Sequence, residues 1–256
     1  LAAFAARGLA TMPGADAQIA ELINNTKTPD ATLAYLAYFR KLKNVEPTLL
    51  TWVTNGDQTV RAAALNALAV CGSETALTSV KASGDTDVYI QLLNNLENSK
   101  TVAKEANGLL KSKESALRCA GLRLLLKAEP AQASKNILKA LRDRDAAYRH
   151  TALLNAIPVA GEGIVPQVAA QFNKLSINAK AEVLDWLGDN KANTQLDLVI
   201  AAMNSKDSIV AKAAIANAAI IGGDKALEAL LPLLADSKKG KLASAALLSF
   251  NGDITK

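Results

Sequence analysis

His150 is the only histidine in the chain, and Cys71 and Cys119 are its only cysteines. One imidazole and two thiols in unrelated contexts exclude the usual zinc constellations, which need three or four such ligands. A Ser–His–Asp relay would have to use His150, and no Gly-x-Ser-x-Gly turn accompanies it. No Gly-rich phosphate loop follows a strand pattern. The sequence therefore predicts no catalytic residue, no metal and no cofactor. Cys71 and Cys119 lie within or at the end of alanine-rich segments far apart in the chain, and are expected as buried free thiols.

The remaining chemistry is that of charge. In "NAKAEVLDWLGDN" the carboxylates Glu182, Asp185 and Asp189 share one helical face beside Trp186. Arg149 and His150 precede them, and Arg118 and Arg123 come earlier still. Buried carboxylates destabilise unless paired, so an ion pair from Arg149 to Glu182 or Asp185 is one expectation. The other is a partner-binding site made of Arg149, His150, Glu182, Asp185, Trp186, Arg118 and Arg123. From Lys100 to His150 the chain holds twelve Lys or Arg against five acids, a local charge of +7 within a total of +5. Such a stretch is either a solvated face or a patch for an acidic partner.

The elements that must position these groups repeat. Asp30, Asp57, Asp85, Glu114, Asp145, Asn178, Asp207 and Lys239 open similar segments at intervals of 27 to 33 residues. Seven residues past each opening residue the side chain is Ala or Gly in six of the eight repeats, with Leu92 and Asp185 the other two. Eight past it come Tyr38, Leu65, Leu93, Leu122, Leu153, Trp186, Ile215 and Leu247. The small column lets helices approach and the large one locks between them. Asp or Asn at the start is an N-cap type, and Gly72, Gly188 and Gly222 stand where left-handed C-caps would sit. Ten past the opening residue lie Asn95, Asn155 and Asn217, poor helix formers in one register. They are either half-buried amides bonding to neighbouring groups or an amide line that reads a bound peptide.

Shorter amphipathic segments such as "PTLLTWV" and "AQASKNILKAL" separate these helices, with Pro232 expected to kink one of them. No segment alternates like a strand. Two helices per ~30 residues make an all-α solenoid of about eight two-helix repeats without strands. No apolar run approaches the ~20 residues of a membrane span.

The pattern Asp-x-x-Val-Arg-x-Ala-Ala-x-x-Ala-Leu at Asp57–Leu68 closely resembles HEAT repeats, nearest to the short form of phycobilisome lyases. The resemblance covers nearly the whole chain. It implies a right-handed α-α superhelix with its second helices lining a concave face, and a non-catalytic scaffold for a protein or peptide partner. The chain reads as a single HEAT-like repeat domain over 1–256, a fragment of a longer chain that is tethered to another domain. The alternative is nucleic-acid binding to the phosphate backbone through the central basic repeats. HEAT-like DNA glycosylases use a carboxylate and tryptophans in a cationic cleft; Asp185 and Trp186 with Arg118, Arg123 and Arg149 match that poorly, because the acids here would repel phosphate.

Overall fold

A computed structural model describes residues 2–252. Leu1 and residues 253–256, the outer ends of the two terminal stretches, lie outside the described residues. The described residues form seventeen α-helices and no strand, and the chain divides into two compact units, 1–108 and 109–256.

The first unit contains α1 (Ala2–Thr11), α2 (Asp16–Asn25), α3 (Ala31–Arg40) and α4 (Glu46–Asn55). It continues with α5 (Gln58–Cys71), α6 (Leu77–Ala82), α7 (Thr86–Asn95) and α8 (Ser99–Leu109). The second unit contains α9 (Ser115–Ala128), α10 (Ala133–Ala140), α11 (Ala146–Ala160), α12 (Ile164–Gln171) and α13 (Ile177–Asp189). It ends with α14 (Leu196–Ala202), α15 (Ser208–Ile221), α16 (Asp224–Leu230) and α17 (Gly240–Leu247).

Within each unit the odd-numbered helices, most of them alanine-rich, stack side by side. These contacts run α1 to α3, α5 and α7 in the first unit, and α9 to α11, α13, α15 and α17 in the second. Helices α2, α4, α6, α10, α12, α14 and α16 pack against them as a second layer. Alanine explains the stacking: Ala37, Ala64, Ala152 and Ala214 of the small column have no solvent exposure. A side chain ending at Cβ leaves room for the next helix, and Leu65, Leu93, Leu122, Leu153 and Ile215 fill the space between. The buried Leu and Ile residues each contribute ~1.5–3 kcal/mol by leaving water, so these helices are held by tertiary packing rather than by propensity alone.

The capping logic holds for Asp30, Asp57, Asp85 and Asp145. Each side chain accepts from backbone N–H groups of the first turn of α3, α5, α7 and α11 respectively. Asp207 and Glu114 occupy the same place without a side-chain cap bond.

One register differs from the sequence expectation. Helix α13 is capped by Ser176, whose hydroxyl accepts from the Ala179 amide, so its repeat opens at Ser176 and not at Asn178. In the corrected frame Val183 and Leu184, both buried, fill the small and large columns. Asp185 moves to the ninth position and Trp186 to the tenth. A shift of two residues turns a helix by ~200°, which exchanges its faces. Asp185 is therefore an exposed residue and no carboxylate occupies the alanine column.

The glycines also divide differently. Gly222 has a positive φ of 78°, but Gly72 is extended at φ −72°, and Gly188 lies inside α13. Pro232 does not kink a continuous α-helix: α16 stops at Leu230 and a 3-10 segment, Leu231–Ala235, takes over with Pro232 in its first turn.

Candidate functional site

Helices α9, α11 and α13, neighbours in the second unit, carry every charged candidate from the sequence, and they sort into two groups. Arg149, only 3% exposed, is turned into the protein. Its Nε and Nη2 donate to the two oxygens of Glu182 at 2.7 and 2.5 Å, and its Nη1 donates to the Asp143 carbonyl at 2.7 Å. This two-pronged pair joins α11 to α13, and it holds Arg149 more firmly protonated than an ordinary arginine. The pairing is with Glu182, not Asp185.

Arg118 makes the matching connection one helix earlier. Its guanidinium pairs with Asp143 and Asp145 and lies over the Tyr148 ring, 4.4 Å from the centroid. Arg118 and Arg149 together pin the short loop between α10 and α11 from both sides. Trp186 is 7% exposed and belongs to the core.

Each asparagine of the register donates a hydrogen bond to a neighbouring group. Asn95 Nδ2 donates to Ala69 O of α5 at 2.9 Å, tying α7 to the helix before it. Asn217, 3% exposed, donates to Asp185 Oδ1 at 2.7 Å and to Ala213 O at 2.8 Å. Asn155 bonds within its own helix, to Thr151 O at 2.8 Å. Gly188 explains how Asn217 fits: a Cβ on Gly188 would lie 2.0 Å from Asn217 Oδ1.

Three candidates remain on the exposed face: Arg123, His150 and Asp185. Arg123 and Asp185 stand at the ninth position of their repeats, and between them the same position of α11 holds Leu154. Pro158, one turn further, has no N–H to give the Leu154 carbonyl, so an acceptor lies beside this side chain. Basic, apolar and acidic groups thus follow one another across three adjacent helices.

Leu154 was not singled out from the sequence, and it is part of a pattern. The three most exposed large hydrophobic residues among the described residues are Leu248 (90%), Phe39 (64%) and Leu154 (61%). All three occupy the ninth position of their repeats, counting from Lys239, Asp30 and Asp145. In the sequence that column holds Asn66, Asn94, Arg123 and Ala216 elsewhere, and Leu187 where the repeat is counted from Asn178, so only the corrected register separates the three exposed apolar members.

The family model described as HEAT repeats matches residues 165–251, which run from the first turn of α12 to just past α17. That stretch is similar to HEAT repeats. The match spans three helix pairs, and the same two-layer arrangement recurs in the helices before it. HEAT repeats generally serve as protein-interaction scaffolds and are typically non-catalytic. No curated protein matches the chain. Among the described residues no group of three or more His, Cys, Asp or Glu is placed to hold a metal, and no helix is long and apolar enough to cross a membrane.

Proposed function

We propose that this protein is a non-catalytic scaffold that holds a protein or peptide partner on the exposed face of its alanine-rich helices. In the second unit the contact surface is Arg123, His150, Leu154 and Asp185. The observation that carries this reading is the coincidence of Phe39, Leu154 and Leu248 at one register position. Large apolar groups held in water are unfavourable by ~1.5–3 kcal/mol each relative to burial, and recovering that energy is what a partner surface offers. The alternative, phosphate-backbone binding through the central basic repeats, is weakened because Arg118 and Arg149 are engaged in internal ion pairs.

The test is a pull-down from lysate of the source organism with the wild-type chain and the Leu154→Asp and Leu248→Asp variants. Both substitutions are at exposed positions and should leave the circular dichroism spectrum unchanged. A discrete protein retained by the wild type at moderate salt and lost by Leu154→Asp is the expected result. Retention that is indifferent to both substitutions, or that nuclease abolishes, refutes the proposal.

A further inference from the structure

The central basic stretch, unexplained by the alanine-rich face, resolves on the other layer. Once Arg118 and Arg149 are spent on internal pairs, three of its remaining cations gather on one groove between α10 and α12. Lys135, Lys139 and Arg142 line one side of it, at i, i+4 and i+7, and so form a single stripe along α10 and the turn after it. Gln167 and Gln171, at i and i+4 on α12, line the other side. Leu138 gives the groove an apolar patch, and its volume is about 550 Å³. Arg142 Nη2 donates to Gln171 Oε1 at 2.6 Å, which fixes one guanidinium across the groove. Lys135 and Lys139 are exposed, with no ion-pair partner among the described residues.

No carboxylate lines this groove. That separates it from the cleft of the first unit, which is lined by Glu46, Glu74 and Glu97, and from the cleft at Glu162 and Lys191 in the second. We infer that the groove between α10 and α12 is a second binding surface, and that its occupant is an acidic polypeptide segment. The charges set the sign. The dimensions and the other groups set the class.

The stripe from Lys135 to Arg142 covers ~10 Å of helix axis, the length of three or four residues of extended chain. Carboxylates on alternate residues of such a chain recur every ~6.6 Å, close to the ~6 Å between Lys135 and Lys139 along the helix. The two glutamine amides present donors and acceptors suited to a peptide backbone. A nucleic acid fits less well. Three cations meet only a small part of a polyanion that carries a charge every ~1.7 Å in the duplex. No aromatic residue lines the groove to stack a base.

The experiment is fluorescence anisotropy of a labelled dodecapeptide of alternating Glu and Ala, with an oligothymidylate of the same length as the rival probe, at about 50 mM salt. The proteins are the full chain, Lys135→Glu/Lys139→Glu, and a control pair of exposed lysines elsewhere in the unit, Lys238→Glu/Lys241→Glu. Folding of each is checked by circular dichroism. The peptide should bind the wild type, more tightly than the oligothymidylate does. Reversal at Lys135 and Lys139 should weaken it at least about tenfold, and the control pair less than about twofold. Three results overturn the inference: no peptide binding, equal weakening by both pairs, or tighter binding of the oligothymidylate. None of them bears on Leu154, so this surface and the alanine-rich face succeed or fail separately.

Discussion

The Arg149–Glu182 pair makes an unequal prediction for its two partners. The Arg149 side chain is 4% exposed and that of Glu182 28%. Removing the carboxylate by Glu182→Ala strands a buried cation, with only the Asp143 carbonyl still bound to it. Breaking a buried pair in this way costs about 3–5 kcal/mol. Arg149→Met removes the cation instead, keeps much of the apolar stem volume and leaves a carboxylate that can turn to water. Its cost is the lost hydrogen bonds, offset by the desolvation no longer incurred, or about 1–2 kcal/mol. The double variant should resemble Arg149→Met alone, so the coupling between the two sites equals the cost of Glu182→Ala, about 3–5 kcal/mol.

The chain supplies its own reporter. It has two tryptophans, Trp52 in α4 of the first unit and Trp186 in α13 of the second, one turn from Glu182. In a Trp52→Phe background, urea unfolding followed by fluorescence reads the second unit alone. Glu182→Ala should lower its stability by clearly more than Arg149→Met does. A cost below ~1 kcal/mol for Glu182→Ala, or additive effects in the double variant, would refute the reasoning: the pair would then behave as a solvent-screened surface contact.

Two further outcomes can be measured directly. Gly188→Ala should destabilise the second unit by about 1–3 kcal/mol in thermal unfolding, despite the ~1 kcal/mol by which Ala normally favours a helix, because the new methyl meets the amide of Asn217. Asn217→Ala should lower stability in the wild type but restore part of it in Gly188→Ala; loss in both backgrounds would refute the packing account. For Cys71, burial above all, helped by the Glu46 carboxylate, pushes the thiol up from 9.0 to about 12. The folded state holds this proton more tightly than the unfolded one, so its contribution is whole below pH 9.0 and is lost as pH rises towards about 12. Cys71→Ala should therefore flatten the alkaline fall in stability, and neither Cys71 nor Cys119 should react quickly with a thiol reagent at neutral pH until urea is added. A fast-reacting thiol in the folded protein would contradict the burial of both.

The fold was legible because its two rules are local and repeated. A side chain that accepts from the first turn, followed by a small residue at seven and a large one at eight, describes α5 from Asp57 as well as α11 from Asp145. The rules failed in α13 for a physical reason. Ser176 and Asn178 are both capping types, and either choice places alanine three residues on and an apolar residue eight residues on. Only the wider pattern separates them: Val183, Leu184 and Leu187 follow Ala64, Leu65 and Leu68 if Ser176 opens the repeat. Gly188 misled for a different reason. A glycine near a helix end suggests a cap, and the close approach of Asn217 from α15 belongs to tertiary structure. The Arg149–Glu182 pair was anticipated as one of two choices, since Glu182 and Asp185 lie on neighbouring turns and the sequence does not say which faces α11.

The corrected register changes what the charges mean. With Asp185 in the alanine column, the acids of α13 would have been a buried fault demanding a ligand or a cation. At the ninth position Asp185 joins Arg123 and Leu154 on the exposed face, and its bond to Asn217 orients it without burying it. The buried work is done by Glu182 instead. Meanwhile Arg118 and Arg149 hold the loop that delivers the chain from α10 into α11, and so fix the register in which Leu154 is presented. A scaffold needs this division, because a partner can only read a column of side chains if the helices bearing it are kept from sliding. Charge is neutralised where position must be fixed, at Asp143, Asp145 and Glu182. Among the described residues Arg123, Lys135 and Lys139 have no ion-pair partner, and these are the charges the two proposed surfaces would offer to a ligand of opposite sign.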